Sequence, residues 1–438
     1  MTKLRQGNGP NPDSQYIESE FGAIEIKADG HIKMQPPPAL LTPIPAGGIR
    51  KDIIHICGFD SYNPVEAIIA GIPPHESGTS VAYNLLRQLE NYSSGMFLTD
   101  PLGKLLTQND KNTYHVASEK SIDNIAACKF IILHGTELAL AELTALYNKL
   151  NCHFIIVTQT HCHMWVPGCQ GDVSYPELNS EEDRLYNKDP LTEAKKIMDQ
   201  LPLTVVTCSQ YTYNLTKEHL LYNHRDVRCI PLALTVPYCK SPKEDIWSHL
   251  DLKADKKYIF WGTTSPLLER KGFQFLEESL YVLWRLLTPE QREQIVILVA
   301  GPGKYNPNPV HHQFSVRYFG HLTSRKKMSV LYKAADVTLC TTIADGGPMM
   351  LSESLCNGTP VIAFDRCISL DLIKDGKTGY LIKDLSSNDM AGALSRILFV
   401  DNLEAMATHS RETYLNHHHE TIVLAKWEQL LKELEGLE

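Results

Sequence analysis

The sequence predicts an α/β protein made of two doubly wound, Rossmann-like domains. Three observations carry this expectation. The chain has 438 residues, more than the ~250–300 at which a single core usually splits. Short apolar runs rich in Ile and Val alternate with longer stretches of helical period. These runs fall into two series, separated by a polar stretch.

In chain order, residues 1–50 are rich in Pro, Gly and polar groups, with a proline run at Pro36–Pro38. They predict a flexible or extended N-terminal arm without a core of its own. The first series of runs is Ile53–Phe59, Phe130–Leu133, Phe154–Thr158 and Thr204–Cys208. The second is Tyr258–Trp261, Ile295–Ala300, Val316–Phe319, Val337–Cys340 and Pro360–Phe364. Runs this short and apolar throughout fit parallel strands buried on both faces. Helical period marks Thr79–Leu89, Gly272–Leu287, Met349–Leu355 and Ala391–Phe399, and the alternation specifies the doubly wound class. Val236–Lys257 contains two prolines and few strand signals, and reads as the linker between domains. Near the end, Ile422, Leu424, Trp427, Leu430, Leu431 and Leu434 form one stripe of an amphipathic helix.

Composition excludes several classes. A net charge of −9 and a pI near 6.1 argue against a nucleic-acid partner, which calls for a basic footprint. No run approaches ~20 apolar residues, so no transmembrane segment is expected, and peripheral membrane contact through a local basic patch stays open. The N-terminus lacks an apolar signal region. Eleven cysteines without framework spacing suit a reducing, cytoplasmic setting.

Ligands of open parallel sheets bind beyond the carboxyl ends of the strands. After the run ending at Cys340, a turn of Asp345, Gly346, Gly347 and Pro348 opens the helix at Met349, and Gly358 closes it. Two glycines before a helix start let an anion approach bare N–H groups. Glu353 lies eight positions after Asp345 and would interrupt a core face unless it meets a ligand. A tight turn with a surface Glu is the plain alternative. Arg270 and Lys271 stand just before Gly272 and the next helix. Adjacent cations at a helix start are by themselves usually solvated surface charges, but the dipole there disfavours them, so a bound diphosphate would account for their placement.

Arg270-Lys271-Gly272, Asp345-x-x-Pro-x4-Glu353 and Gly358-Thr359-Pro360-Val361 together resemble glycosyltransferase family 4. More narrowly they resemble its polysaccharide-type subgroup, whose first acid is the Asp of a D-x-x-P turn. The resemblance covers roughly residues 52–430 and is strongest in the C-terminal half. It implies a GT-B fold, two Rossmann-like domains facing a central cleft, with 51–236 binding the acceptor and 237–412 the nucleotide sugar. Residues 413–438 would be a helix crossing back to the first domain. It also implies retaining hexosyl transfer from a nucleotide-diphosphate sugar, without a metal or further cofactor, to an acceptor that the residues do not identify.

By that resemblance Arg270 and Lys271 neutralise the donor diphosphate and Glu353 binds the ribose. Asp345, with the backbone of Gly346, Gly347, Pro348 and Met349, contacts the donor sugar and phosphates. The Gly301–Gly303 turn and Tyr318, Phe319 and Gly320 resemble the segments beside the base. The family's usual Arg after the first glycine of this strand is Thr263 here, leaving Arg270 as its candidate replacement. In the first domain the phosphate turn is Ser77-Gly78-Thr79, where Gly78 would approach the donor and the alternative is a plain helix cap by Ser77. His134-Gly135 resembles the family's strand-end HG. Phe154–Cys169 resembles the subgroup's T-x-H-D-x-W stretch, but ungapped the family His falls on Cys162 and the Asp on His163, so either His161 or His163 is the catalytic candidate. Cys152, His161, Cys162, His163 and Cys169 also offer a zinc reading, against which no standard finger spacing is met. Two rivals stay open: another GT-B enzyme, such as an epimerase or phosphorylase, and a non-catalytic sugar-nucleotide-binding subunit.

Overall fold

A computed structural model of the chain describes residues 14–19, 22–27, 32–35, 49–58, 86, 88–99, 105–108, 114–117, 125–134, 140–158, 195–218, 221–232, 237–263, 268–303, 313–322, 324–345 and 347–436. Gly78, Ser77, Gly135, His161, Cys162, His163, Cys169 and Gly346 lie outside these residues, as does most of the expected helix Thr79–Leu89.

The chain divides into two compact units. The first comprises Met1–Val206, Lys217–Arg228 and Leu430–Glu438; the second comprises Thr207–Thr216 and Cys229–Gln429. Where composition predicts an arm, β1 (Ser14–Ser19), β2 (Gly22–Lys27) and β3 (Ile32–Gln35) form an antiparallel three-stranded sheet. The signal for it is the two-residue alternation through Ile24 and Ile26, which the prolines and glycines around it obscure.

In the first unit, β4 (Ile49–Arg50) pairs with β9 (Ile125–Ala127). The main sheet contains β5 (Ile53–Gly58), β6 (Ser94–Thr99), β7 (Leu105–Gln108), β8 (Tyr114–Ala117), β10 (Phe130–His134), β11 (His153–Thr158), β12 (Leu203–Thr207) and β13 (Asp226–Cys229). Its order is β13-β12-β11-β10-β5-β6-β7-β8. β5, β6, β10 and β11 are parallel neighbours in register, Phe130 opposite both Ile53 and His153, whereas β6, β7 and β8 pair antiparallel at one edge. Helix α1 (Leu140–Leu150) joins β10 to β11; α2 (Gln210–Glu218) follows β12 and belongs mostly to the second unit. Ile53, Ile54, Ile56, Phe130, Ile131, Ile132, Phe154, Ile155 and Val205 are buried, as expected for strands covered on both faces.

The second unit begins before its first strand. The stretch expected to be a linker holds α3 (Lys243–His249). Ile246 lies in the core, Trp247 Nε1 donates to the Ala334 carbonyl at 2.9 Å, and Lys243 pairs with Asp336 at 2.6 Å. The polar faces of this short helix hide its one buried stripe from a hydrophobicity pattern. The sheet that follows holds β14 (Lys257–Gly262), β15 (Ile295–Ala300), β16 (Ser315–Tyr318), β17 (Val337–Cys340), β18 (Val361–Phe364) and β19 (Gly379–Ile382). All neighbours are parallel, in the order β16-β15-β14-β17-β18-β19. Counted within the unit this is 3-2-1-4-5-6, the Rossmann order, whose switch point falls between β14 and β17.

Around this sheet lie α4 (Phe273–Leu286), α5 (Pro289–Gln294), α6 (Arg325–Ala334), α7 (Met349–Cys356), α8 (Ser369–Leu372), α9 (Ser387–Phe399) and α10 (Leu403–His417). One core groups Tyr258, Phe260, Leu298, Leu331 and Tyr332; another groups Leu351, Leu355, Val361, Ile368 and Leu372. The last helix, α11 (Glu420–Glu435), buries Trp427, Leu430 and Leu431 of the stripe read from the sequence, but Val423 takes the buried place at its start and Ile422 is exposed. Its final turn lies in the first unit, where Glu435 meets Lys129 at 2.7 Å and Tyr92 Oη at 2.9 Å.

Candidate functional site

The site is built on the two strands that flank the switch point. After β14 the chain makes a 3-10 turn, Glu269–Lys271, and then a left-handed Gly272 with φ 67° before α4 begins at Phe273. A Cβ on Gly272 would lie 1.9 Å from the Thr341 carbonyl oxygen. Only glycine allows this turn to close on the strand end beside it. Thr341 Oγ1 donates to the Lys271 carbonyl at 3.0 Å and accepts from Trp261 Nε1 at 3.1 Å, while Ile343 N–H donates to the Arg270 carbonyl at 2.9 Å. The backbone thus fixes the Arg270–Lys271 turn against the segment leading to Asp345.

Asp345 receives both cations on one oxygen. Lys271 Nζ lies 2.6 Å and Arg270 Nη1 3.0 Å from its Oδ2, and Gly347 N–H donates to Oδ1 at 3.2 Å. Its backbone N–H donates to Cys367 Sγ at 3.2 Å. Asp345 is 7% exposed. Burial by itself would raise its carboxyl, yet Lys271, Arg270 and the Gly347 N–H together hold it below the usual carboxylate range. One negative and two positive groups leave a net charge of +1. The cations sit in the turn before α4, not in its first turn, so the helix dipole opposes them less, and Asp345 is their counter-ion.

α7 starts at Met349 after Pro348, with no side-chain cap on its first turn among the described residues. Its polar stripe carries Glu353, half-buried, whose Oε2 accepts from Tyr332 Oη at 2.8 Å. Burial and the neighbouring Glu353 carboxylate raise the Tyr332 phenol well above its ordinary value, so it stays a donor. The helix closes at Asn357, whose Nδ2 donates back to the Glu353 carbonyl at 2.9 Å, with Gly358 left-handed after it.

At the ends of β14, β15 and β16 the remaining candidates meet. Thr263 N–H donates to the Ala300 carbonyl at 3.2 Å, and a Cβ on Gly301 would lie 2.4 Å from the Thr263 carbonyl oxygen. Tyr318 Oη donates to the Gly301 carbonyl, and Gly301 N–H to that of Gly320. Phe319 packs on the core beneath. Arg270, Lys271 and Asp345 therefore form one cluster, while Thr263, Gly301 and Tyr318 form a second on neighbouring strand ends. His134 ends β10, opposite Cys57 on β5, at the switch point of the first sheet. Tyr332 and Cys367 were missed from the sequence. A tyrosine in an amphipathic helix reads as core, and a cysteine held at φ 55° leaves no sequence signal.

Two Rossmann-like units, the second ordered 3-2-1-4-5-6 with a cationic cluster at its switch point, define the chain as a protein of the GT-B class. Residues 249–410 match the family described as Glycosyl transferases group 1. The D-inositol 3-phosphate glycosyltransferase of Corynebacterium aurimucosum is 24% identical over 306 residues, 63% of this chain and 72% of its own. The poly(ribitol-phosphate) alpha-N-acetylglucosaminyltransferase of Staphylococcus aureus is 29% identical over 110 residues, 25% of this chain and 22% of its own. Among solved structures, sucrose-phosphate synthase from Thermosynechococcus elongatus superposes with a TM-score of 0.64 at 16% identity, covering 88% of this chain and 100% of that one. Anabaena HepE in complex with UDP superposes at 0.56 and 12% identity, covering 87% and 100%. The chain has a GT-B fold, and its second unit is similar to the group 1 glycosyl transferases.

Proposed function

We propose that the chain transfers a sugar from a nucleotide-diphosphate donor with retention of configuration, the diphosphate binding at Arg270 and Lys271. The observation that carries this reading is the pair of cations on Asp345 at the switch point, with a net positive charge beside the uncapped start of α7. An anion there meets a fork, a point charge and helix N–H groups at once. Nucleotide sugar is the donor class that such a cradle suits, and HepE, which shares the fold, has been crystallised with UDP-glucose.

In the transfer, the bond from the anomeric carbon to the β-phosphate oxygen breaks and its electron pair stays on that oxygen. The acceptor hydroxyl oxygen bonds the anomeric carbon from the same face and passes its proton to the departing phosphate. Negative charge growing on the diphosphate is what Lys271, Arg270 and the α7 N-terminus stabilise, in a preorganised setting. Asp345 aligns the two cations, and Glu353, oriented by Tyr332, receives the ribose hydroxyls. Under this reading no divalent ion is needed for the charge, so turnover persists in EDTA. The acceptor side falls to the first unit, with His161 or His163 as the catalytic candidate that the family resemblance implies.

The test is a thermal-shift screen of UDP-, GDP- and ADP-sugars, followed by NMR of the product anomer with an acceptor panel that includes inositol and ribitol phosphates. A donor at about 100 times its Kd should stabilise the protein by about 2.7 kcal/mol. An inverted product, or an isomerised donor without transfer, overturns the reading.

A further inference from the structure

The Asp345 peptide bonds a buried sulfur. Cys367 Sγ accepts the Asp345 N–H at 3.2 Å, and the side chains of Cys208 and Cys340 are also close enough to feel its charge. All three cysteines are buried and outside any disulfide. Burial first, and the Asp345 charge after it, raise the Cys208 and Cys367 thiols, so both stay neutral beside the carboxylate. Cys208 Sγ also lies 3.6 Å from where a Cβ on Gly347 would stand.

Cys367 differs from the other two in its backbone. It sits just beyond β18 at φ 55°, in the left-handed region that a side chain with a Cβ rarely adopts, and it is 1% exposed. The turn is tight: Arg366 N–H donates to the Phe364 carbonyl at 2.8 Å. A residue held there against its preference, with its one polar atom on the Asp345 peptide, marks a constraint tied to a site. Glycine would satisfy that backbone more easily but would leave the Asp345 N–H without its partner.

We propose that Cys367 is a positioning residue: its buried Sγ fixes the Asp345 peptide, and through it the carboxylate that aligns Lys271 and Arg270 for the donor diphosphate. The proposal rests on the reading that the cluster binds a diphosphate. Two adjacent strand ends thereby cooperate, β17 supplying the carboxylate and β18 the thiol that holds it.

The experiment measures, by calorimetry, the affinity of the full chain for whichever of UDP, GDP and ADP binds most tightly, alongside thermal unfolding. Cys367→Ala should weaken binding by about fivefold or more, the range for stranding a buried donor. Cys367→Ser, which keeps an acceptor, should stay within about twofold of the parent by the same reasoning. Cys367→Gly should weaken binding as Ala does while unfolding at no lower temperature than Cys367→Ala, because its backbone suits φ 55°. In an Asp345→Asn background the Cys367→Ala effect should shrink to under about twofold, the signature of residues acting as one unit. A lowered Tm with unchanged affinity makes Cys367 a packing residue only and overturns the proposal, as does a loss that persists in the Asp345→Asn background. If Asp345→Asn itself binds like the parent, or no diphosphate binds at all, the reading of the cluster falls first and this proposal with it.

Discussion

Lys271 Nζ and Asp345 Oδ2 lie 2.6 Å apart across 74 residues of sequence, and Arg270 shares the same oxygen at 3.0 Å. The Lys271 side chain is 16% and the Asp345 side chain 9% exposed. A carboxylate this buried holds its charge only because the cations are present. Binding an anion would then draw on cations that are already aligned.

The first prediction tests that alignment. Lys271→Ala and Arg270→Ala should each weaken diphosphate binding by about tenfold to a hundredfold, since a hydrogen bond to a charged group contributes roughly 1.5–3 kcal/mol. Asp345→Asn should weaken it in the same direction, because two cations then repel without a counter-ion. Calorimetry decides the matter: a double Ala variant within about twofold of the parent removes the cluster from the binding site, given that 1.4 kcal/mol is about tenfold.

The second concerns Tyr332, whose hydroxyl donates to Glu353 at 2.8 Å. Tyr332→Phe preserves the buried ring and deletes one donor. We expect about 1–3 kcal/mol of lost stability, together with weaker binding of the intact nucleotide and unchanged binding of inorganic pyrophosphate. Equal losses on both ligands would place Glu353 on the phosphates and not on the ribose.

The third concerns Gly272. Alanine there meets the Thr341 carbonyl at 1.9 Å and keeps φ at 67°. Both backbone strain and a backbone clash follow, and we expect more than about 2 kcal/mol of destabilisation. Chemical denaturation reads it directly, and a neutral result would mean that the Arg270–Lys271 turn is not locked to β17.

The fourth is a pH dependence. His418 is 1% exposed, with Nδ1 3.1 Å from the Leu232 carbonyl and 3.4 Å from Ser352 Oγ. Burial pushes its imidazole down from 6.5 to about 4. Between those values the unfolded chain takes a proton that the folded chain refuses, so stability falls as pH falls, by up to about 3 kcal/mol from this group. Above 6.5 the contribution to the pH dependence vanishes. His418→Gln should flatten the slope of unfolding free energy between pH 6.5 and 4, and an unaltered slope would show that His418 titrates normally.

Legibility followed the strength of each local pattern. β17 falls on the expected run Val337–Cys340, and α7 opens at Met349 as the Asp345–Pro348 turn predicts. Each is specified by its own residues: four consecutive buried side chains, or a proline before a helix. β7 and β8, by contrast, are four-residue antiparallel strands, β8 at the sheet edge, too short for any window to separate from loop. The three-stranded N-terminal sheet was hidden by surrounding prolines, and α3 by its charged face, because a helix of seven residues has room for only one buried stripe.

The candidate site divides in the same way. The sequence by itself determined the doubly wound class, the Arg270–Lys271 pair, the Asp345 turn and the place of Glu353, since each is written in the order and type of neighbouring residues. Only the tertiary structure decided that both cations settle on Asp345, that Tyr332 holds Glu353, and that Cys367 holds the Asp345 peptide. Those partners are 75, 74, 21 and 22 residues apart. The physical reason is the parallel sheet: β14 and β17 become neighbours with β15 and β16 between them in the chain, and no local pattern encodes which strand ends will meet.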